Sequence, residues 1–152
     1  MQQMPDPMQA LSIHPNYTPY ERNNVEPGVQ KLCEVLNTID NVRTLYSCEG
    51  HPELPTPPYV MFEAPTHVAF SIHKLLGHGR ADGTLTFSWQ IESHFNISMD
   101  GGWHYVISPN DIRFLKRPTG FFVVRKPWNS STARADMDRI SEILKYEFVN
   151  LT

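Results

Sequence analysis

The stretch of sequence that decides the fold reads Val42-Arg43-Thr44-Leu45-Tyr46-Ser47-Cys48-Glu49-Gly50-His51-Pro52. Its first half favours a β-strand, because branched and aromatic side chains fit a pleated surface. Its second half is a tight turn, since Gly50 tolerates a positive φ and Pro52 cannot donate to a continuing ladder. In this turn Cys48, Glu49 and His51 place a thiol, a carboxylate and an imidazole close together in sequence. We therefore expect a strand over 42–47 that presents a functional site at its end.

Composition and charge restrict the possible classes of function. A chain of 152 residues with a formal net charge of -3 fits one domain, and it argues against broad binding to nucleic-acid phosphates. The start carries no secretory signal, and no run reaches about 18 apolar residues. We therefore expect no membrane partner, a cytoplasmic location, and no disulfide between Cys33 and Cys48.

Periodicity divides the chain into an irregular, proline-rich arm over 1–25 and one domain over 26–152. Three helices are expected in the domain, because apolar residues recur at i, i+3, i+4 and i+7. Their predicted limits and caps are Pro27 to about Ile39, Thr66 as N-cap to Gly77 or Gly79, and Ser130 or Ser131 as N-cap to about Phe148.

Strands are predicted between these helices, over 59–63, 84–92, 103–107 and 121–125. The clearest is 84–92, where Leu85, Phe87 and Trp89 alternate with polar residues, so that one face meets the core. A turn signal over 99–102 would join it to 103–107 in a long hairpin. Because hairpin-like neighbours are mixed with helices, we expect an α+β fold, with a mixed, largely antiparallel sheet and three helices packed mainly on one face.

The turn admits several kinds of chemistry. Cys48 leaves the strand at a bend where its side chain can be exposed, and His51 is a base that could activate it as a nucleophile. Because Glu49 would raise the pKa of the thiol, strong activation is not expected. Cys-x-x-His is also half of a zinc site, but no second half follows, and we predict neither a metal nor another cofactor. In the structural alternative, Glu49 and His51 hydrogen-bond the backbone.

The residues Tyr46-Ser47-Cys48-Glu49-Gly50-His51 resemble the Ser-Ser-Cys-x-Gly-Arg motif of the wybutosine-synthesising tRNA methyltransferases. Ser47, Cys48 and Gly50 match the motif, whereas Tyr46 replaces its first Ser and His51 replaces its Arg. The resemblance covers about residues 42–92, because in that family the motif strand is also followed by a strand and a helix. It implies a related α/β sheet and a methyl transfer to tRNA.

Two further groups of residues are candidates for the site. A basic cluster over 113–126, which includes Arg113 and Arg117, either holds one or two phosphates or is an ordinary solvated loop. Trp103 and His104 lie in the predicted hairpin, where aromatic rings either stack on a flat ligand or belong to the core. If Trp103 and Tyr105 face inward, His104 faces solvent or a ligand.

Three alternative functions follow. The first is a protein that sequesters, senses or carries a small anionic, nucleotide-like ligand, and that forms a homodimer. Its expected ligand-binding residues are Ser47, Cys48, Glu49, Gly50, His51, Trp103, His104, Arg113 and Arg117. The second is an enzyme that uses Cys48 and His51, or a tRNA-modifying methyltransferase. The third is a protein–protein adaptor. The absence of common kinase, hydrolase and protease motifs favours binding over catalysis.

Overall fold

The computed structural model describes residues 18–19, 25–52, 56–95, 103–111, 114 and 128–149. The helices are α1 (Pro27–Thr38), α2 (Thr66–Ala81) and α3 (Ser130–Leu144), and α3 continues as a π-helical turn over Lys145–Val149. The strands are β1 (Thr18–Pro19), β2 (Arg43–Cys48), β3 (Tyr59–Glu63), β4 (Trp89–Phe95) and β5 (Trp103–Pro109). This architecture confirms the predicted α+β fold class. The strand predicted over 121–125 lies outside the described residues.

The strands form one sheet in the order β1-β2-β3-β5-β4, and each pair of neighbours is antiparallel. β4 and β5 form the hairpin that the sequence predicts. β2 pairs with β3, and a register shift between Thr44 and Tyr46 marks an irregularity in this pair. On its other edge β2 pairs with β1, where Thr18 lies opposite Ser47. The strand that ends in the turn is therefore held on both sides.

The helices pack against the sheet and bury one apolar core. Their buried apolar positions are Val29, Leu32, Cys33, Leu36, Val68, Ala69, Ile72, Leu76, Ala133, Met137, Ile140 and Leu144. These positions follow the helical period, so the apolar stripes of the sequence predict them well. Phe62 and Ile107, at the centre of the sheet, are buried in the same core. Within the described ranges, no helix has both the length and the apolar character that crossing a bilayer requires.

The segment 84–88 is not a strand, contrary to the prediction, and β4 begins only at Trp89. Asp136 of α3 explains the difference. Its buried carboxylate accepts hydrogen bonds from the backbone N–H groups of Thr86 and Phe87, at 2.9 and 2.8 Å. The indole N–H of Trp89 donates to the same carboxylate at 2.8 Å. Because a side chain satisfies these two backbone donors, Thr86 and Phe87 need no neighbouring strand to pair their N–H groups.

Two helix caps differ from the prediction. Thr66 is the first residue of α2, and Pro65 occupies the N-cap position without a side-chain hydrogen bond. The Thr66 hydroxyl instead lies 3.1 Å from the hydroxyl of Tyr105. α3 is capped by Asn129, whose side-chain oxygen accepts a hydrogen bond from the N–H of Ser131 at 2.8 Å. Asn is among the preferred N-cap residues, so its position directly before the two serines decides where α3 begins.

The ends of two helices also differ from the prediction. α2 continues past Gly77 and Gly79 to Ala81. Gly79 is buried, and a Cβ on it would lie 3.0 Å from the side chain of Leu85, so close packing explains this glycine better than helix termination. α3 is regular only as far as Leu144, beyond which the chain is π-helical.

Candidate functional site

The turn at the end of β2 is closely packed around Gly50. This residue has a φ of 87°, a conformation that residues other than glycine rarely adopt. Its N–H donates to Sγ of Cys48 at 3.4 Å. A Cβ on Gly50 would lie 2.6 Å from the ring of Trp128 and 2.9 Å from Pro58. The glycine is therefore required both by the backbone of the turn and by the close approach of Trp128.

Glu26, at the N-cap of α1, brings a carboxylate to this turn. Its Oε1 accepts a hydrogen bond from the N–H of Glu49 at 3.1 Å, and its Oε2 lies 2.8 Å from Nε2 of His51. One ligand atom each from Glu26, Cys48 and His51 lies within 4.8 Å of the other two. These three residues form what we call the Glu26–Cys48–His51 cluster.

Cys48 is the most deeply buried member of the cluster. Its side chain is fully buried, which corrects the expectation that the bend exposes it. Burial raises the pKa of the thiol to about 12; the N–H of Gly50 acts against this rise, and the carboxylate of Glu26 adds to it. The thiol is therefore protonated near neutral pH, so Cys48 is not an activated nucleophile in this state. Cys33 is likewise a free, buried thiol.

Glu49 holds the turn in place through its side chain and His51 through its own backbone, whereas the His51 side chain contacts the carboxylate of Glu26. Oε2 of Glu49 accepts a hydrogen bond from the N–H of Gly28 at 2.7 Å, so Glu49 caps α1 from 21 residues away. Nη2 of Arg134 on α3 binds the same oxygen at 3.1 Å. The backbone of His51 exchanges two hydrogen bonds with Thr56, at 2.8 and 3.1 Å. The turn therefore ties α1, β2 and α3 together.

His104 lies away from the turn. It is opposite Glu63 at one end of β3, whereas Cys48 is opposite Tyr59 at the other end. Tyr59 and Glu63 are four residues apart along β3, which corresponds to roughly 13 Å. His104 is also buried, so it does not face solvent. Its Nε2 lies 3.4 Å from Oε1 of Glu63 and has no hydrogen-bond partner among the described residues.

The remaining predicted site residues have separate positions. Ser47 is buried next to the turn, and its side chain acts against the rise that burial causes in the pKa of the Cys33 thiol. Trp103 lies in β5, but its side chain is outside what the structure describes. Arg113 and Arg117 lie outside the described residues, so the phosphate-binding role of the basic cluster stays a prediction.

Glu26 is the member of the cluster that sequence reasoning missed. One signal was present: a Glu directly precedes the proline that begins α1, at a cap position where Ser, Thr, Asp and Asn are preferred. A carboxylate there also lies at the positive end of the helix dipole. Its contact with Glu49 spans 23 residues, however, and depends on how β2 packs beside α1. Periodicity does not supply that information.

A cleft of about 360 Å³ lies elsewhere on the molecule, between the end of α1, the start of α2 and the π-helical turn. The residues that line it include none of the predicted site residues. The cleft and the Glu26–Cys48–His51 cluster are therefore separate features.

Comparison of the chain with protein-family models, curated proteins and solved structures finds no match in any of the three. The resemblance to the wybutosine-synthesising tRNA methyltransferases stays a prediction from the motif over 46–51. Function is therefore inferred from the geometry of the cluster.

Proposed function

We propose that this protein binds a divalent transition-metal ion, with zinc as the best match, at the Glu26–Cys48–His51 cluster. The supporting observation is that the three ligand atoms lie within 4.8 Å of one another. Ligands at the usual zinc distances of about 2.0–2.3 Å lie roughly 3.3–3.8 Å apart on a tetrahedral ion. Side-chain shifts on the order of 1 Å are therefore sufficient to coordinate the ion.

The kinds of ligand select the metal. Calcium and magnesium take oxygen ligands, whereas a thiolate favours zinc and other softer ions. Zinc accepts sulfur, nitrogen and oxygen in one site, and Cys48 and His51 have an allowed Cys-x-x-His spacing. Glu26 supplies a third ligand, which the sequence pattern alone did not reveal.

The groups around the cluster suit a metal site. The N–H of Gly50 already donates to Sγ of Cys48, and such a bond stabilises a metal-bound thiolate. The N–H of Glu49 fixes one oxygen of Glu26 and leaves the other directed at His51. The ring of Trp128 packs on the turn beside Gly50. Partners of this kind orient the ligands before an ion arrives.

Metal binding is favoured over covalent catalysis by Cys48. A nucleophile must be accessible and readily deprotonated, but this thiol is buried and has a pKa of about 12. A divalent ion supplies a positive charge that stabilises the thiolate, and it displaces the thiol proton when it binds. The affinity for metal therefore depends on pH.

The proposal is tested by titrating the metal-free protein with Co²⁺, which substitutes for zinc and absorbs light when a thiolate binds it. We expect one equivalent to produce thiolate-to-cobalt absorption, and zinc to abolish it. Cys48→Ser, Glu26→Gln and His51→Gln keep side chains of similar shape that still form hydrogen bonds. Each should lose at least the roughly 10–100-fold in affinity that outer-shell changes cost.

Matched controls are Cys33→Ala, Glu34→Gln and His94→Gln. They change another buried thiol, an exposed carboxylate on α1 and an exposed imidazole on β4. We expect all three to bind cobalt like the wild type. The proposal is wrong if the folded wild type gives no thiolate-to-cobalt band. It is also wrong if Cys48→Ser, shown to be folded by circular dichroism, retains wild-type affinity.

A further inference from the structure

We infer that the ion at this cluster keeps one coordination position for a small oxyanion from solvent, which Arg134 helps to bind. The inference rests on the proposed metal site. The ligand class is defined by its chemistry: a phosphate or carboxylate offers one charged oxygen to the ion and another to a guanidinium.

The cluster has a buried side and an accessible side. Cys48 is 0% exposed, whereas the side chains of His51 and Glu26 are 24% and 30% exposed. In the described ranges, no fourth His, Cys, Asp or Glu joins the group. Zinc sites with three protein ligands keep the fourth position for water or a substrate. Because Cys48 is buried, an ion held by this cluster would be reached from solvent on the side of Glu26 and His51.

Arg134 is linked to the cluster through Glu49. Its Nη2 is 3.1 Å from Oε2 of Glu49, and the N–H of Glu49 is bonded to Glu26. The guanidinium also covers the first turn of α1, because a Cβ on Gly28 would lie 2.7 Å from its Nε. The Arg134 side chain is 50% exposed. A guanidinium carries five N–H donors, so an exposed one can hold Glu49 and still bind a second anion.

The charges around the cluster favour an anion as the additional ligand. The thiolate of Cys48 and the carboxylate of Glu26 together balance a divalent ion. Glu49 and Arg134 balance each other as an ion pair. The start of α1 then adds the positive end of a helix dipole. Among the described groups around the cluster, an approaching oxyanion therefore meets no net negative charge, and it gains the metal ion and the donors of Arg134.

The experiment uses the cobalt-loaded protein and three probes: inorganic phosphate, acetate and AMP. We expect at least one of them to change the visible cobalt spectrum in a saturable way. Arg134→Gln should weaken that apparent affinity about tenfold, because it removes a hydrogen bond between charged groups. Its cobalt affinity should change far less. Arg80→Gln on α2 removes the same charge from an exposed position and should change neither affinity.

The outcomes separate this inference from the proposed function. If cobalt does not bind, the metal site itself is wrong. If cobalt binds but none of the three anions changes its spectrum, only the oxyanion position is wrong. The role of Arg134 is refuted if Arg134→Gln binds the anion as tightly as Arg80→Gln does. AMP binding more tightly than phosphate would support a nucleotide-like ligand, and binding of acetate alone would assign a carboxylate.

Discussion

Asp136→Asn should destabilise the protein by about 2–4 kcal/mol. The wild-type carboxylate is fully buried and accepts hydrogen bonds through both oxygens: Oδ1 from Thr86 and Arg139, and Oδ2 from Phe87 and Trp89. Asn keeps one oxygen, so two of the four donors meet an NH₂ group instead. A hydrogen bond to a charged group contributes about 1.5–3 kcal/mol, and a buried donor left unsatisfied costs about 1–3 kcal/mol. Because Arg139 is half exposed, water can replace its lost hydrogen bond, so we expect a destabilisation in the lower part of the range of about 2–4 kcal/mol.

The assay is urea denaturation followed by circular dichroism. We expect a lower midpoint with an unchanged m-value, which would show that stability has changed and compactness has not. Asp138→Asn is the matched control, because Asp138 is exposed two residues further along α3, and it should stay within about 0.5 kcal/mol of the wild type. An Asp136→Asn midpoint equal to that of the control would refute the assignment of Asp136 as the acceptor that organises 84–88.

Three further predictions concern the turn and the two cysteines. Gly50→Ala should cost about 2–5 kcal/mol, because a strained left-handed residue costs roughly 1–2 kcal/mol and the clash with Trp128 adds an overpacking term. Gly83→Ala, at a φ of 83° with open space around it, measures the strain alone by the same denaturation assay. The pKa values of the Cys33 and Cys48 thiols in the folded protein, about 11 and 12, exceed the ordinary value of 9.0. The stability that the two protonated thiols contribute is therefore complete below pH 9, and it is lost as pH rises towards the folded-state pKa values. Denaturation between pH 8 and pH 11 should show a fall of up to about 1.4 kcal/mol per pH unit for each thiol, and Cys48→Ala should have a shallower slope. Zinc affinity should rise about tenfold per pH unit near neutrality, because one thiol proton leaves for each ion bound; calorimetry that finds no such dependence would exclude Cys48 as a ligand.

The parts of the fold that the sequence predicts are those set by local periodicity. β3 spans the predicted residues, and α1 ends within one residue of the predicted limit. In both elements the apolar residues recur with the period of the structure that they form. The error over 84–88 has a non-local cause: its side chains alternate as in a strand, but Asp136, 49 residues from Phe87, supplies the acceptor.

The candidate site likewise has features that the local sequence predicts and features that depend on distant contacts. Cys48, Glu49 and His51 could be identified from the sequence, because they lie together in one turn. The burial of Cys48 could not, because it depends on how distant residues, such as Glu26 at the start of α1, pack against that turn. The sequence places a Glu before α1, but only the packing of α1 beside β2 turns it towards the thiol.

The bonds made by α3 have a consequence for how the chain folds during synthesis. Arg134 binds Glu49 across 85 residues, and Asp136 reaches back to a segment about 50 residues earlier. α1, β2 and β3 can associate as soon as they leave the ribosome, but neither bond can form until the last helix has emerged. Until then the apolar faces of α1 and α2 lack the side chains of α3 that cover them, so they are exposed to aggregation and to chaperones. A stop codon before residue 128 should therefore yield an insoluble or rapidly degraded product, although it leaves Glu26, Cys48 and His51 in the chain.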